Sequence, residues 1–311
     1  MPDLIPGVVV TYFPDTGLAN RLRSIGREVA PLLVADNTTD PAARTAIEAA
    51  TVTAGATYLG IPGNTGVAGG LNAAFDQFHT AGHEWAIAFD QDSLPEPGFA
   101  AALRHHAKST GCRIVGADWY DQINPSRHAR HLQPLPWLPL LFRRRVVPQS
   151  GLASVTFAIT SGCLFDLELW HRLGGFDPTF PLDYVDIDFC LRARRAGARV
   201  GIAGYALLAH NRGAKRPVRR FGRTWWPANI PPARLEQLVT QQLRLIGRHG
   251  WRLPHWSLYE ACLFAKLCFD AALLEPDSAT KIRHLCAGLG AALTHRRVRR
   301  PLTHEGQRER T

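Results

Sequence analysis

Short unbroken apolar runs alternate along the first half of the chain with segments whose apolar residues recur every three or four positions. This is the pattern of βαβ units on a mostly parallel sheet. GVVVTYF (7–13) predicts a first buried strand, PLLVADN (31–37) a second, ATYLGIP (56–62) a third and EWAIAFD (84–90) a fourth. LANRLRSIGREV (18–29) and VAGGLNAAFDQFHTAG (67–82) predict two of the connecting helices, and RIVGADW (113–119) a fifth strand. The first four strands end in polar residues: Thr11-Tyr12, Asp36-Asn37, Gly63-Asn64 and Asp90-Gln91-Asp92. In an open α/β sheet, ligands bind in the crevice outside the carboxyl ends of the strands.

The pattern then loosens. LQPLPWLPLLFRRRVVPQSG (132–151), rich in Pro and apolar side chains, reads as an irregular insertion outside the core. SVTFAITSGCLFDLELWHRLGGF (154–176) predicts a strand, a turn at Ser161-Gly162 and a short helix. PLDYVDIDFCLRARRAG (181–197) predicts a helix stopped by Gly197, and ARVGIAGYALLAH (198–210) a closing strand that ends at His210. Residues 211–230 have no clear period; helices follow up to a polar tail from about residue 296.

Among the 311 residues, 46% are hydrophobic, enough for a substantial core. The net charge of +10 is uneven: residues 211–311 hold 19 Lys/Arg against 7 Asp/Glu, and the first 210 residues 17 against 19. The cationic character therefore belongs to the last third, a partner for phosphates, anionic lipid or nucleic acid. The six cysteines are scattered without a CxxC pair, and read as reduced core residues. MPDLIPGVVVTYFPD lacks the form of a signal peptide, and Glu260, Lys266 and Asp270 interrupt the most apolar C-terminal stretch. A cytoplasmic protein is expected.

Four motifs carry candidate chemistry. Glycines in GNTGVAGGLNAAF (63–75), at a strand-to-helix turn, serve either the turn itself or close approach of an anion to backbone N–H groups. Asp90 and Asp92 form either an acidic turn or, with Pro95 and Pro97 bending the chain, a pair of hard oxygen ligands for a divalent cation. Asp183 and Asp186 are three apart and would share a helix face. They act as cap and dipole complement, with Asp188, or one of them is a general base. His210 is a structural hydrogen-bonder or completes a metal and diphosphate site.

Taken in order, Thr11-Tyr12, ADN (35–37), GNTGVAGGLN (63–72), DQDS (90–93), SGCL (161–164), LGGFD (173–177), DYVDIDFCLRA (183–193) and His210 resemble family 2 glycosyltransferases, inverting enzymes of the GT-A fold. Within them the chain is most similar to the bacterial rhamnosyltransferase branch, over about residues 7–216. The resemblance implies an α/β, mostly parallel nucleotide-binding domain over 1–216. Its nucleotide-sugar half would be about 1–118 and its acceptor half about 150–216, with a basic helical region at 217–311.

It implies a donor, dTDP-L-rhamnose first, whose base lies near Thr11, Tyr12, Asp36 and Asn37. Asn64, Gly66, Gly70 and Asn72 would line the donor pocket, with Asp90 beside the ribose and Gln91 next to it. Asp92 and His210 would hold Mg2+ or Mn2+ on the diphosphate, Asp186 would be the base, and Ser161, Gly162 and Asp183 would meet the acceptor. Arg192 would brace its helix. The chain departs from the branch at Glu236-Gln237 and Thr240-Gln241, where an aromatic pair and Arg-Asn are usual.

Galactofuranosyl or other hexosyl transfer from a UDP-sugar is the alternative inside the family. A glycan or polyprenyl-linked acceptor would give the cationic last third, and the patch at 130–145, an anionic membrane surface to meet at the inner face of the cell membrane. A nucleic-acid-binding module is the rival class, and clustered carboxylates at the sheet edge argue against it. A nucleotidyltransferase needs a glycine-rich basic loop after the first strand, where TYFPDTG stands.

Overall fold

The computed structural model describes residues 4–121, 128–135, 137–210 and 217–294. By internal contacts the chain divides into two compact units, Met1–Gln133 with Arg144–Asn211, and Pro134–Arg143 with Arg212–Thr311.

The first unit is built on an eight-stranded sheet. Its strands are β1 (Gly7–Thr11), β2 (Leu32–Asp36), β3 (Thr57–Gly60), β4 (Trp85–Asp90), β5 (Leu94–Pro95), β6 (Ile114–Asp121), β9 (Cys163–Asp166) and β10 (Val200–His210). Their order is β3-β2-β1-β4-β9-β6-β10-β5. β1 through β4 pair in parallel, as expected of the largely apolar, buried runs of β1, β2 and β4, with β3 less covered at the sheet's edge. All residues of β1 and β2 are buried. β9 runs antiparallel between β4 and β6.

Helices cover both faces. On one, α1 (Leu18–Ile25), α2 (Pro41–Thr53) and α4 (Phe99–Thr110) bring Leu22, Ile25, Ile47, Phe99 and Leu103 to Val9, Phe89, Val115 and Leu164 of the sheet. Asp40 caps α2 by accepting from Ala43 N–H at 2.8 Å, with Pro41 at the first helical position.

On the other face lie α3 (Gly66–Thr80), α5 (Leu167–Arg172) and α6 (Val185–Arg195). There Phe75 of α3, Phe165 of β9, Phe176 and Phe189 of α6 form a buried aromatic cluster with ring centroids 4.9 to 5.7 Å apart. Each ring contributes roughly 1.5–3 kcal/mol by burial. Phe189 fixes α6, and so the first turn that carries Asp186.

Three expectations change. The segment at 132–151 is not irregular: β7 (His131–Leu135) and β8 (Leu138–Arg145) form a two-stranded sheet. The strand predicted at 154–160 falls after the Ser161-Gly162 turn instead, as β9. Cys112, Cys163 and Cys190 are buried as expected, but Cys262 and Cys286 are exposed.

In the second unit, β11 (Val218–Arg220) and β12 (Arg223–Trp225) form a small hairpin. α7 (Pro232–His249), α8 (Pro254–Leu273) and α9 (Ser278–Leu293) pack around Leu235, Val239, Ala271 and Leu285. Glu236 and Thr240, where the family resemblance departs, hold α7 to α9: Glu236 pairs with His284 at 2.7 Å, and Thr240 donates to Gly288 O at 3.3 Å. No helix among the described residues is long and apolar enough to cross a membrane. The basic segment at 211–216 and the tail from about 296 lie outside the described residues.

Candidate active site

Because β1 to β4 are parallel, their polar ends meet at one edge. Asp36 sits there fully buried, accepting from Thr11 Oγ1 (3.1 Å), Thr38 N–H (3.0 Å) and Tyr58 Oη (2.9 Å). Its carboxylate thus joins the ends of β1, β2 and β3. Asn37 donates to Gly66 O (3.0 Å) and accepts from Thr65 N–H (3.1 Å), clasping the start of α3. Gln91 accepts from Tyr12 N–H through its side-chain oxygen (2.8 Å), and its carbonyl accepts from Arg21 Nε (2.6 Å). Arg21 had no signal in the sequence; it pins the DQD turn to α1.

The glycine-rich segment divides by function. Asn64 accepts from Gly66 N–H at 2.9 Å and is partly exposed at the edge. Gly66 has φ +72, and a Cβ there would lie 2.1 Å from Pro181 O, so the loop leading to α6 rests directly on it. Gly70 is buried, where a Cβ would stand 3.1 Å from Val10 Cγ1 and 3.2 Å from Asn37 Nδ2. Asn72 donates to Phe176 O (2.9 Å) and accepts from Phe176 N–H (2.8 Å). Gly70 thus allows close helix-to-sheet approach, and Asn72 is a two-point clamp on the loop before α6.

At the end of β4, Ser93, absent from the sequence-based candidates, is buried and meets Ser161 Oγ at 2.8 Å, while Asp90 N–H donates to Ser93 Oγ at 3.1 Å. Gly162 N–H donates to Ala88 O at 2.8 Å, and with φ +66 a Cβ would fall 2.8 Å from Phe99 Cζ. Ser161 and Gly162 are both buried. They fix the DQDS turn against β9.

β10 shifts register between Ala203 and Leu207, a bulge that re-aims its last residues. Ala209 then pairs with Leu94, so the backbone of His210 comes beside the DQDS turn, opposite Asp121 of β6. The side chain of His210 lies outside the described residues.

Asp183 and Asp186 do not share a helix face. α6 begins at Val185, after Tyr184 in the left-handed region (φ +67), and Asp183 lies in the preceding bend; no side chain caps the helix. A non-glycine residue at positive φ is costly. Asp188 is buried and pairs with Arg192 Nε at 2.7 Å; Arg192 also donates to Leu173 O (2.9 Å) and Gly175 O (2.8 Å), bracing α6 as expected.

Asp186 remains. It accepts from Ile187 N–H (2.8 Å) and Thr160 N–H (3.3 Å) at a helix N-terminus, contacts that favour ionisation. Burial outweighs them, the negative charge of Asp90 adds to it, and the carboxyl is pushed up to about 6. Such a group is ionised at about pH 7 yet more basic than an ordinary aspartate, the requirement of a general base. Beneath it Cys190 is pushed up to about 12, by burial first and then by the charge of Asp186, and burial also holds the Cys163 thiol well above its ordinary value. Neither thiol is a nucleophile.

Among the described residues no three His, Cys, Asp or Glu side chains converge as a protein-only metal cage. A hard divalent cation that takes one or two carboxylates and completes its shell with substrate phosphates does not require one. Asp92 and Asp90, on a turn at the ligand edge, fit that donor set.

The mostly parallel sheet covered by helices on both faces, with carboxylates gathered at the carboxyl edge of its parallel strands, has the architecture of the GT-A fold. The sequence profile of the family described as Glycosyltransferase like family 2 matches residues 8–247, and the chain belongs to that family. It is 26% identical over 175 residues to dTDP-rhamnosyl transferase RfbF of Shigella flexneri, an alignment covering 51% of this chain and 57% of that protein. The chain thus spans little more than half of that relative's length.

Among solved structures it is similar to S. aureus TarS 1–349 in complex with UDP-GlcNAc, with TM-score 0.56, 13% identity, and 93% of this chain and 81% of that chain covered. It is also similar to the mannosyltransferase PcManGT from Pyrobaculum calidifontis in complex with GDP-Man and Mn2+, with TM-score 0.54, 17% identity, and 94% and 87% covered. At these identities the likeness is one of fold.

Proposed function

We propose that this chain is an inverting glycosyltransferase that moves L-rhamnose from dTDP-L-rhamnose to a glycan or polyprenyl-linked acceptor in bacterial cell-surface polysaccharide synthesis. One observation carries the reading: Asp186, raised to about 6, is electrostatically coupled to Asp90 of the DQDS turn. An acceptor base and a donor-side carboxylate therefore share one edge. The choice of rhamnose rests on the name of the Shigella relative and on the DQDS and DYVDIDFCLRA segments.

The nucleotide lies over Tyr12, Asn64 and the framework of Thr11, Asp36 and Asn37, with Asp90 on the ribose side. Asp92, with the backbone-placed His210, would hold Mg2+ or Mn2+, which would supply positive charge to offset that of the departing diphosphate. Asp186 takes the proton of the acceptor hydroxyl as that oxygen attacks the anomeric carbon from the face opposite the diphosphate, which inverts the centre. Asp183, in the bend before α6, meets the acceptor. The division into a catalytic domain over 1–216 and a basic helical region at 217–311 is part of the same proposal, as is contact of the basic region with anionic membrane.

Thermal shift with dTDP-rhamnose, UDP-galactose, UDP-galactofuranose and UDP-N-acetylglucosamine, each with Mg2+ or Mn2+, tests the donor. Stabilisation by dTDP-rhamnose above the UDP-sugars is expected. A response to UDP-galactofuranose alone would reassign the chain to furanosyl transfer.

A further inference from the structure

The β7–β8 hairpin exposes apolar side chains that the catalytic reading does not use. Trp137, beside the turn, is 85% exposed, and Leu138, Leu140 and Leu141 of β8 are 51%, 62% and 43% exposed. Along the same strand they run straight into Arg143, Arg144 and Arg145, all exposed. Phe142 is partly buried: its ring packs edge-on against Tyr259 of α8 at 5.4 Å within the second unit, which anchors the middle of β8. The β11–β12 turn of that unit repeats the composition, with Phe221 62% exposed between Arg219, Arg220 and Arg223.

Water is a poor solvent for such a cluster, and monomeric proteins rarely present one without a partner. The sequence of the hairpin selects the partner. Pro134 in β7 and Pro139 in β8 carry no N–H, which makes both strands poor templates for an added strand from another protein. Three consecutive arginines oppose approach of a second copy bearing the same run. Exposed leucines gain nothing from a nucleic-acid backbone. A tryptophan and leucines collared by arginines match a bilayer interface, where indole sits at headgroup depth, leucines enter the acyl boundary and arginines meet anionic headgroups.

We infer that the β7–β8 hairpin is a membrane-insertion element that docks the enzyme on an anionic bilayer. This deepens the lipid-linked-acceptor reading under Proposed function and locates the contact, yet it stands on the hairpin alone.

The test uses the full chain and sedimentation with vesicles of phosphatidylcholine containing about 30% phosphatidylglycerol, against phosphatidylcholine alone. Binding to the anionic vesicles only is expected, with tryptophan quenching by brominated lipid that W137S reduces. At about fivefold per cationic side chain, the triple variant R143Q/R144Q/R145Q should bind roughly 100-fold more weakly. L138S/L140S/L141S should lose insertion while keeping the charge. These side chains are exposed, so melting temperatures should stay at the parent value and report folding directly.

Vesicle binding unchanged in either triple variant, or no binding by the parent, overturns the inference. So does a concentration-dependent dimer in gel filtration that W137S abolishes, which would assign the hairpin to a second copy. Nucleotide-sugar binding measured on the parent and the same variants separates the two proposals: its absence in the parent sinks the donor assignment and leaves the hairpin untouched.

Discussion

Replacing Asp186 by Asn removes the charge and keeps an oxygen able to accept from Ile187 N–H or Thr160 N–H. It therefore separates two descriptions of the residue. A carboxylate that merely complements the start of α6 stabilises the helix, and its loss costs about 0.3–1 kcal/mol. A base held ionised against burial does the opposite. The rise of the carboxyl from 3.8 to about 6, with burial as the largest cause and Asp90 adding to it, corresponds to about 3 kcal/mol at ~1.4 kcal/mol per pH unit. Part of Asp186 stays accessible to water, which trims this to roughly 1–2 kcal/mol.

The pH dependence fixes the sign. A carboxyl that titrates higher folded than unfolded keeps its proton longer in the folded protein, so its contribution lowers stability as pH climbs from about 4 to about 6, and is level above that. Asp186→Asn lacks this decline. Urea unfolding at about pH 7 should find the variant more stable by roughly 1–2 kcal/mol, with the two proteins converging at about pH 4. Sugar transfer should fall by about 100-fold or more, and the parent's kcat/KM should drop about tenfold per pH unit below about 6. A variant less stable than the parent at neutral pH, or one turning over at near-parental rate, would refute the assignment.

Asp92→Ala should weaken Mn2+-dependent nucleotide binding by about tenfold or more in calorimetry. Ser93→Ala and Ser161→Ala each leave a buried hydroxyl without its partner and should cost about 1–3 kcal/mol; the double variant should cost less than the sum, as a double-mutant cycle in urea would measure. Gly66→Ala combines φ +72 with a Cβ 2.1 Å from Pro181 O, and should destabilise by about 2 kcal/mol or more and lower donor binding together.

The parallel strands were legible in the sequence because a strand buried on both faces is an unbroken apolar run, and β1, β2 and β4 are that. The β7–β8 hairpin was not. Its prolines read as breakers, and nothing in LQPLPWLPLLFRRR distinguishes an exposed two-stranded ribbon from coil, since pairing on one side tolerates residues that lack an N–H. The start of α6 was misplaced by about four residues because Tyr184 stands in the left-handed region (φ +67), which a non-glycine residue rarely adopts and its letter does not signal.

The polar residues at the strand ends show where sequence reasoning about the site stops. Thr11, Asp36, Asn37, Asn72, Ser161 and Gly162 all belong to the family's motifs, and all lie at or beside one edge. Their polar groups make hydrogen bonds to one another and to backbone, and all but the partly exposed Asn72 are buried. Asp90, Asp92, Asn64, Tyr12 and Asp186 keep access to solvent. Residue type does not separate the two sets, because an aspartate that joins three strands and one that removes a proton are the same letter. Burial with satisfied acceptors marks the first; partial burial next to a second negative charge marks the second. By that criterion Asp36 and Asp188 are framework, and substituting either should lower stability first and transfer only as a consequence, whereas Asp186 should lose transfer while the fold gains stability.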